Sequence, residues 1–378
     1  MGRSAVLLVS GNHAIGLKVL VCLRFGGYDV DVLSLKGPGQ TRYSRYRRHF
    51  DVLSSHVQPG GVPQEIVDFV RAKSARRGWC AVIADDVDSH GFLHEAAGRL
   101  PIPAFAPVAL AVLEHAHDKW SFYNAVNGSA VTVPSSCIVR AGREVTRQQA
   151  EDVGWPLLVK PLNAESGHGI VRFNDLDALR DYLATPGPYK SFPLKLQRFI
   201  AGHELGVSFL AERGEILTCD VQLDCDEHGA RRFYDDPEAV AVASQIVKCF
   251  DFGGPGHIDF IRETATGRLF ALEFNPRYWY SVSVSLWRGG NFPAMAVDLA
   301  LGRSVPANPT RPGRYLQPKT LLGCWRNPRR LAVVDWCNVK GLLSVLSDPL
   351  PYLMQRASLR APLESARSPA DSPGSMLS

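Results

Sequence analysis

Apolar and polar residues follow two different rhythms along this chain, and the change from one to the other divides it. In the N-terminal part, the short apolar runs AVLLVS, YDVDVLSL and WCAVIADD alternate with helical patterns over His13 to Phe25, Pro63 to Arg77 and Asp88 to Leu100. That βα order predicts a Rossmann-like parallel sheet flanked by helices across residues 1–106. Gly11 and Gly16, which follow the first run, do not form the GxGxxG pattern, so no dinucleotide cofactor is expected. After the proline-rich link PIPAFAP the rhythm changes. VTVPSSCIV, WPLLVKP, LKLQRFI, ELGVSFLAE and EILTCDVQL read as strands, and a helix is expected from Asp236 to Phe252. The fold class is therefore α/β at the start and α+β overall, with a second domain over residues 107–305. An extension over residues 306–360 holds a strand-like YLQPKTLLG and a helix-like LAVVDWCNVKGLL, and the tail 361–378 reads as disordered.

The most informative segment is Gly256 to Arg277, GHIDFIRETATGRLFALEFNPR. Period-two alternation in HIDFI sets Ile258 and Phe260 against Asp259. In LFALEFN it sets Phe270, Leu272 and Phe274 against Glu273 and Asn275. On adjacent strands of a hairpin such residues lie within roughly 8 Å, so two carboxylates and an amide oxygen can share a face and hold hard cations. Carboxylates this close repel unless positive charge separates them, and Mg²⁺ accepts one or two of them when substrate phosphates complete its shell. A solvated hairpin face is the plain alternative. The following Asn275-Pro276-Arg277 favours a site, because it adds a guanidinium suited to planar anions.

Upstream, Lys160 is embedded in the apolar strand Pro156-Leu157-Leu158-Val159-Lys160-Pro161, where it should reach a buried anion. The loop Asn163 to Ile170 contains Ser166, Gly167, His168 and Gly169, whose small residues let backbone N–H groups approach phosphate oxygens. In Gln197-Arg198-Phe199-Ile200-Ala201-Gly202-His203-Glu204 a strand ends, a glycine turns the chain and an acid opens the next strand. In a nucleotide site an extended linker of this kind can pair with an adenine edge while the carboxylate accepts from ribose hydroxyls. Each segment alone is also explained by an ordinary turn or strand connection.

Taken in this order, the residues from Asp118 to Gly302 resemble the ATP-grasp superfamily, and the N-terminal part resembles the domain that usually precedes it. The resemblance implies an ATP-dependent carboxylate-amine ligase that forms an amide or peptide bond through an acyl phosphate. Lys119 and Lys160 would contact ATP phosphates, with Ser166, Gly167 and Gly169 closing over them. Gln197, Arg198, Phe199 and Ile200 would form the adenine hinge, and Glu204 would take the ribose. Asp259, Glu273 and Asn275 would be ligands to two Mg²⁺ ions, for which Mn²⁺ could substitute, and Arg277 with Lys160 would be catalytic. Two departures stand out. His257 occupies a position where the D-alanine:D-alanine ligase branch has an arginine, and Gln197 one where several relatives have glutamate. No biotin-carrier or glutamine-amidotransferase segment is recognisable, which disfavours complete biotin carboxylation or carbamoyl phosphate synthesis. A phosphotransferase using the same ATP site on a hydroxyl acceptor and a non-catalytic nucleotide-binding module are the competing readings.

Composition alters little in this picture. With 378 residues, 46% apolar and 21% charged, and a formal charge of +5, the chain has room for two or three domains and gives little reason to expect nucleic acid or a membrane as partner. Small-molecule carboxylate and amine substrates are expected, with a homodimer as the one macromolecular option. Thr41 to His49 is the only dense basic run, interleaved with tyrosines in a manner that could suit single-stranded nucleic acid, but it reads first as a surface loop or one near an anionic substrate. The substrate pocket is expected near Arg277, Tyr278, Trp279 and Tyr280, with the loop Asp224 to Arg232 over it and Arg231 and Arg232 as candidates for a second carboxylate. No run reaches the roughly 18 apolar residues of a spanning helix, and eight scattered cysteines lack zinc spacing, so a reduced cytoplasmic protein is expected.

Overall fold

Five strands carry out the βα pattern in the computed structural model, which describes residues 3–53, 61–140, 145–162, 167–223, 230–316, 318, 321 and 334–354. They are β1 (Ala5–Ser10), β2 (Asp29–Ser34), β3 (Arg47–Val52), β4 (Trp79–Ala84) and β5 (Ala104–Phe105), paired in parallel in the order β3-β2-β1-β4-β5. Helices α1 (His13–Phe25), α2 (Gly61–Arg77) and α3 (Val87–Ala97) cover the two faces. Local chemistry fixes their starts: Asn12 accepts from the N–H groups of Ala14 and Ile15, and Asp86 forms a capping box with Ser89.

The basic run departs from its reading as a loop. Gln40–Tyr43 is a 3-10 turn, and Arg47 to His49 open the edge strand β3, whose polar character follows from its exposed edge. Arg48 donates two hydrogen bonds to the buried Asp31, at 2.9 and 3.0 Å, the Arg45 guanidinium donates to the Ser347 carbonyl at 3.1 Å and Arg47 to the Arg42 carbonyl at 2.7 Å, while the Arg45 main-chain N–H and the Ser44 hydroxyl bind the Asp348 carboxylate. The arginines thus hold the fold together, and replacing Arg45, Arg47 and Arg48 is expected to leave steady-state kinetics unchanged while lowering thermal stability.

Two helices, α4 (Leu110–His117) and α5 (Lys119–Val126), lead into the second part. A four-stranded antiparallel sheet follows, with β6 (Ser136–Val139), β7 (Leu157–Pro161), β8 (Val171–Phe173) and β9 (Leu194–Arg198) in the order β6-β9-β7-β8, backed by α6 (Arg147–Val153) and α7 (Leu176–Ala184). The larger antiparallel sheet has β10 (Gly202–Glu212), β11 (Glu215–Leu223), β12 (Ala230–Phe233), β13 (Gly254–Glu263), β14 (Leu269–Asn275) and β15 (Gly313–Leu316), in the order β14-β13-β10-β11-β12-β15. The C-terminal extension therefore supplies an edge strand of this sheet. Helix α8 (Pro237–Cys249) packs on it and stops before the expected Phe252, because Asp251 takes a left-handed φ of 44°.

Helices α9 (Val282–Arg288) and α10 (Phe292–Ala300) return to the N-terminal sheet. Val282, Phe292, Met295 and Val297 share one core with Val6, Leu8, Ile15 and Leu20. A last helix, α11 (Trp336–Ser347), starts at a capping box formed by Asp335 and Asn338. The tail expected to be disordered, 361–378, lies outside the described residues. Among the described residues no helix is long and apolar enough to cross a membrane, and Cys22, Cys80, Cys137, Cys219, Cys249 and Cys337 are free thiols.

Candidate active site

Strands β13 and β14 pair so that Asp259 faces Glu273 directly and His257 faces Asn275. The three candidate ligands share the face that alternation predicts for them. Upstream, the alternation breaks. Phe260 pairs with Ala271, so Leu272 is an extra residue in a bulge, and everything before it changes face. Leu269 and Ala271 join the large core with Phe260 and Phe274, whereas Phe270 and Leu272 gather with Ile200 and Ile261 in a small separate cluster. The sequence reading that put Phe270, Leu272 and Phe274 on one face is corrected accordingly. The bulge thereby brings Leu272 to the wall of the cavity described next.

That cavity, of about 470 Å³, is lined by Lys160, Gly167, Glu204, Asp259, Glu273, Asn275 and Arg277 among others. Seven of the expected site residues, drawn from four separate stretches of sequence, therefore converge. Lys119, at the first turn of α5, reaches the same group through an ion pair with Glu273, Nζ to Oε2 3.2 Å. Gly169 turns the chain with φ 76°, and a side chain there would meet Pro161 and Tyr189. Ser166 lies outside the described residues. Gln197, Arg198, Phe199 and Ile200 do not line the cavity. Gln197 is buried at the end of β9, Arg198 is exposed, Phe199 lies under the Arg172 guanidinium, and Ile200 packs in the small cluster with Ile261. Tyr278, expected beside the substrate, is instead fully buried in the core shared with the N-terminal sheet, while Trp279 and Tyr280 do line the cavity.

Electrostatics hold the Glu273 carboxylate ready as an anion. Burial by itself would raise the Glu273 carboxyl, but Lys119 and Lys160, with hydrogen bonds from Lys119 and Asn275, bring it down to about 2. Asn275 also donates to Asp259, Nδ2 to Oδ2 2.8 Å, and accepts a 3.4 Å bond from Arg277. His257 bridges Asp259 to Ser208, with Nε2 3.1 Å from the carboxylate and Nδ1 2.8 Å from the hydroxyl. Gly206 makes room for it, since a Cβ there would lie 2.3 Å from the imidazole. Lys160 is buried, and desolvation holds its ammonium below the usual lysine range while the nearby Lys119 adds to the effect and Glu273, Glu204 and Asp259 oppose it.

A third lysine escaped the sequence reading. Lys195, 1% exposed, is the cross-strand partner of Lys160. Its Nζ donates to the main-chain oxygen of Lys119 at 3.2 Å and lies 4.9 Å from the centre of the Tyr123 ring. The signal that marked Lys160, a lysine inside an apolar strand, is equally present in Leu194-Lys195-Leu196. Burial, with the neighbouring Lys160 and Lys119, brings the Lys195 ammonium from 10.5 down to about 7, against the pull of Glu273 and Asp118. The folded protein thus holds this proton less tightly than the unfolded chain. The cost of burying the charge is fully present below pH 7 and is relieved as pH rises towards 10.5. Wild type is expected to gain melting temperature relative to Lys195→Met across that window; parallel curves for the two proteins would overturn the assignment.

The donor set suits a hard cation. Asp259 and Glu273 offer carboxylate oxygens and Asn275 an amide oxygen, and among the described residues no cluster of three His, Cys, Asp or Glu side chains forms a self-sufficient metal centre. Such a set is completed by phosphate oxygens and water, which is the binding habit of Mg²⁺.

Known proteins share features with this chain. A family model described as an ATP-grasp domain matches residues 116–280. A D-alanine--D-alanine ligase of Xylella fastidiosa is 28% identical over 149 residues, covering 34% of this chain and 47% of the relative, so the match spans about half of that ligase. Among solved structures, N5-carboxyaminoimidazole synthetase from Staphylococcus aureus complexed with ADP superposes with a TM-score of 0.64 at 15% identity, covering 87% of each chain. An L-amino acid ligase from Bacillus licheniformis superposes with a TM-score of 0.57 at 16% identity, covering 80% of this chain and 75% of that one. These two likenesses establish the shared fold.

Proposed function

We propose that the protein is an ATP-dependent carboxylate-amine ligase, a reading supported by the match of residues 116–280 to an ATP-grasp domain model behind a Rossmann-like sheet. The observation that carries this reading is a single cavity lined by buried Lys160, the facing pair Asp259 and Glu273, and Arg277. A cation to neutralise a triphosphate, carboxylates to hold its counter-ions and a guanidinium for a substrate anion meet in it.

In the proposed reaction the substrate carboxylate attacks the γ-phosphorus of ATP, ADP leaves, and an amine displaces phosphate from the resulting acyl phosphate. Lys119 and Lys160 neutralise charge on the phosphoryl oxygens, and their burial makes that interaction stronger than it would be in water. Arg277, held by its bond to the Tyr278 carbonyl at 3.0 Å, orients the acyl carboxylate. Glu204 is assigned to the ribose, with Leu272 as an apolar contact for the base, and the adenine edge is assigned to the segment Gln197 to Ile200, which leads to Glu204 from outside the cavity lining. The turn at Gly167 to Gly169 is assigned to the phosphates and to excluding water from the acyl phosphate. Asp259, Glu273 and Asn275 would hold Mg²⁺, two ions replaceable by Mn²⁺, whose contribution when bound is to neutralise phosphate charge.

An ADP-release screen of carboxylic acids and amines in pairs, followed by mass spectrometry, tests the proposal. An amide product supports it. A phosphorylated hydroxyl compound without amide would replace it with a phosphotransferase, and no Mg²⁺-dependent ADP release with any pair would leave only nucleotide binding.

A further inference from the structure

One line of hydrogen bonds crosses four neighbouring strands of the six-stranded sheet. Arg231 on β12 donates from NH1 to Gln222 Oε1 on β11 at 2.7 Å, and Gln222 Nε2 lies 2.8 Å from Ser208 Oγ on β10. Ser208 stands directly opposite His257 on β13, with Oγ 2.8 Å from Nδ1, and His257 Nε2 reaches Asp259 Oδ1 at 3.1 Å. Ser208 and Gln222 are 0% and 2% exposed, so water does not compete for these bonds. Of the five residues, the reaction proposed above employs Asp259 alone.

The line has one direction. A guanidinium can only donate, so the Gln222 amide turns its oxygen to Arg231 and its nitrogen to Ser208. Ser281 Oγ, which accepts from Arg231 at 2.7 Å and donates to Gln222 Oε1 at 2.8 Å, fixes the same orientation. Ser208 Oγ therefore accepts from Gln222 and has its own proton to give. Asp220, also opposite Ser208, is supplied by Thr310 Oγ1 at 3.0 Å, and the Ser208 proton goes to His257 Nδ1. With Nδ1 accepting, a neutral imidazole carries its proton on Nε2 and donates to Asp259. The opposite tautomer would set a bare Nε2 lone pair 3.1 Å from a carboxylate oxygen, two acceptors in contact.

Resting on the ligase reading above, we propose that His257 is a positioning residue for Asp259, held as its Nε2–H tautomer by the one-way line from Arg231 through Gln222 and Ser208. Asp259 then has a donor on each oxygen, His257 on Oδ1 and Asn275 on Oδ2 at 2.8 Å, so the protein itself sets the plane of the carboxylate. The ring that does this is clamped. Trp279 stacks on it with 5.9 Å between centroids and 22° between planes, and a Cβ at Gly206 would lie 2.3 Å from it.

Two measurements on the full chain test this. In metal-free protein isotopically labelled at the histidine nitrogens, the magnetic resonance signals that His257→Gln removes belong to His257, and above neutral pH they are expected to show Nδ1 bare and Nε2 protonated. Gln222→Glu keeps the shape and the bond to Arg231 but offers Ser208 an acceptor in place of a donor, so the hydroxyl turns away and Nδ1 is expected to gain a proton. A wild-type Nδ1 that carries a proton, or a Gln222→Glu Nδ1 that is still bare, overturns the inference. Calorimetric titration of Mg²⁺ into protein saturated with ADP reads the effect at Asp259. Ser208→Ala is expected to weaken Mg²⁺ binding at least about tenfold, while ADP alone binds as it does to wild type. Equal Mg²⁺ affinity in the two proteins overturns the positioning role. The assigned tautomer and its reversal in Gln222→Glu, with neither Mg²⁺ nor ADP bound by wild type, uphold the line of bonds and count instead against the ligase reading.

Discussion

Replacing Glu273 by glutamine is expected to lower ATP turnover by about 10²–10³-fold, the scale on which enzymes lose rate when one preorganised charge-stabilising group is removed. Two effects act together. The substitution takes away a proposed cation ligand, and it removes the anion that faces three buried or nearly buried ammoniums, Lys119, Lys160 and Lys195. Glutamine keeps the shape and an oxygen for Lys119, so a single cooperative unfolding transition should persist. The pH dependence separates the electrostatic part. The Glu273 carboxyl titrates near 2 in the fold instead of near 4.5, so its contribution to stability is complete above pH 4.5 and disappears as pH falls towards 2. The gap in stability between wild type and variant should close across that interval. Near-normal turnover by the variant would sink the assignment of the carboxylate pair.

Phe274→Ala is expected to destabilise the protein by about 3–5 kcal/mol, the usual cost of emptying a buried aromatic site. The ring sits at the centre of an aromatic cluster, with centroids 4.8 Å from Phe252, 5.8 Å from Phe209 and 5.9 Å from Phe250. Its position also makes it the spacer between Glu273 and Asn275, so a collapse of the site should tilt both and lower turnover although Phe274 does not line the cavity. A chemical denaturation midpoint that moves by less than a Leu substitution at the same place would contradict this account. Phe274→Leu keeps most of the buried area and should lose markedly less stability.

Much of this was legible in the order of residues. Alternation reported β13 and β14 correctly near the site because Ile258, Phe260 and Phe274 all face one large core, which leaves Asp259, Glu273 and Asn275 the other face. It failed three residues upstream of Asn275, where the bulge at Leu272 changes the pairing without any glycine or proline to announce it. The strand β3 was missed for the opposite reason: an exposed edge needs no apolar face, so Arg47, Arg48 and His49 look like a loop. Lys195 was passed over although its context matches that of Lys160, because one lysine in an apolar strand is read as facing solvent unless the helix that covers it, here α5, is already known to be there. The ends of the cavity come from strands far apart in sequence. Only the register of the six-stranded sheet brings Gln222, Asp259 and Glu273 into one row across Gly206.

The core beneath α9 and α10 has a consequence for how the molecule can be divided. Topology changes near residue 106, yet Val282, Phe292 and Val297 fill the same apolar interior as Val6, Ile15 and Val32, and Tyr278 lies there beside Trp279, which walls the cavity. A chain cut at that point would leave the parallel sheet with one face stripped, because α1 alone would have to cover what three helices cover together. The N-terminal segment should therefore be insoluble on its own and recoverable only when co-produced with the remainder. The two parts should melt as one unit, with the short link from Tyr278 to Trp279 joining the interior of one to the substrate wall of the other.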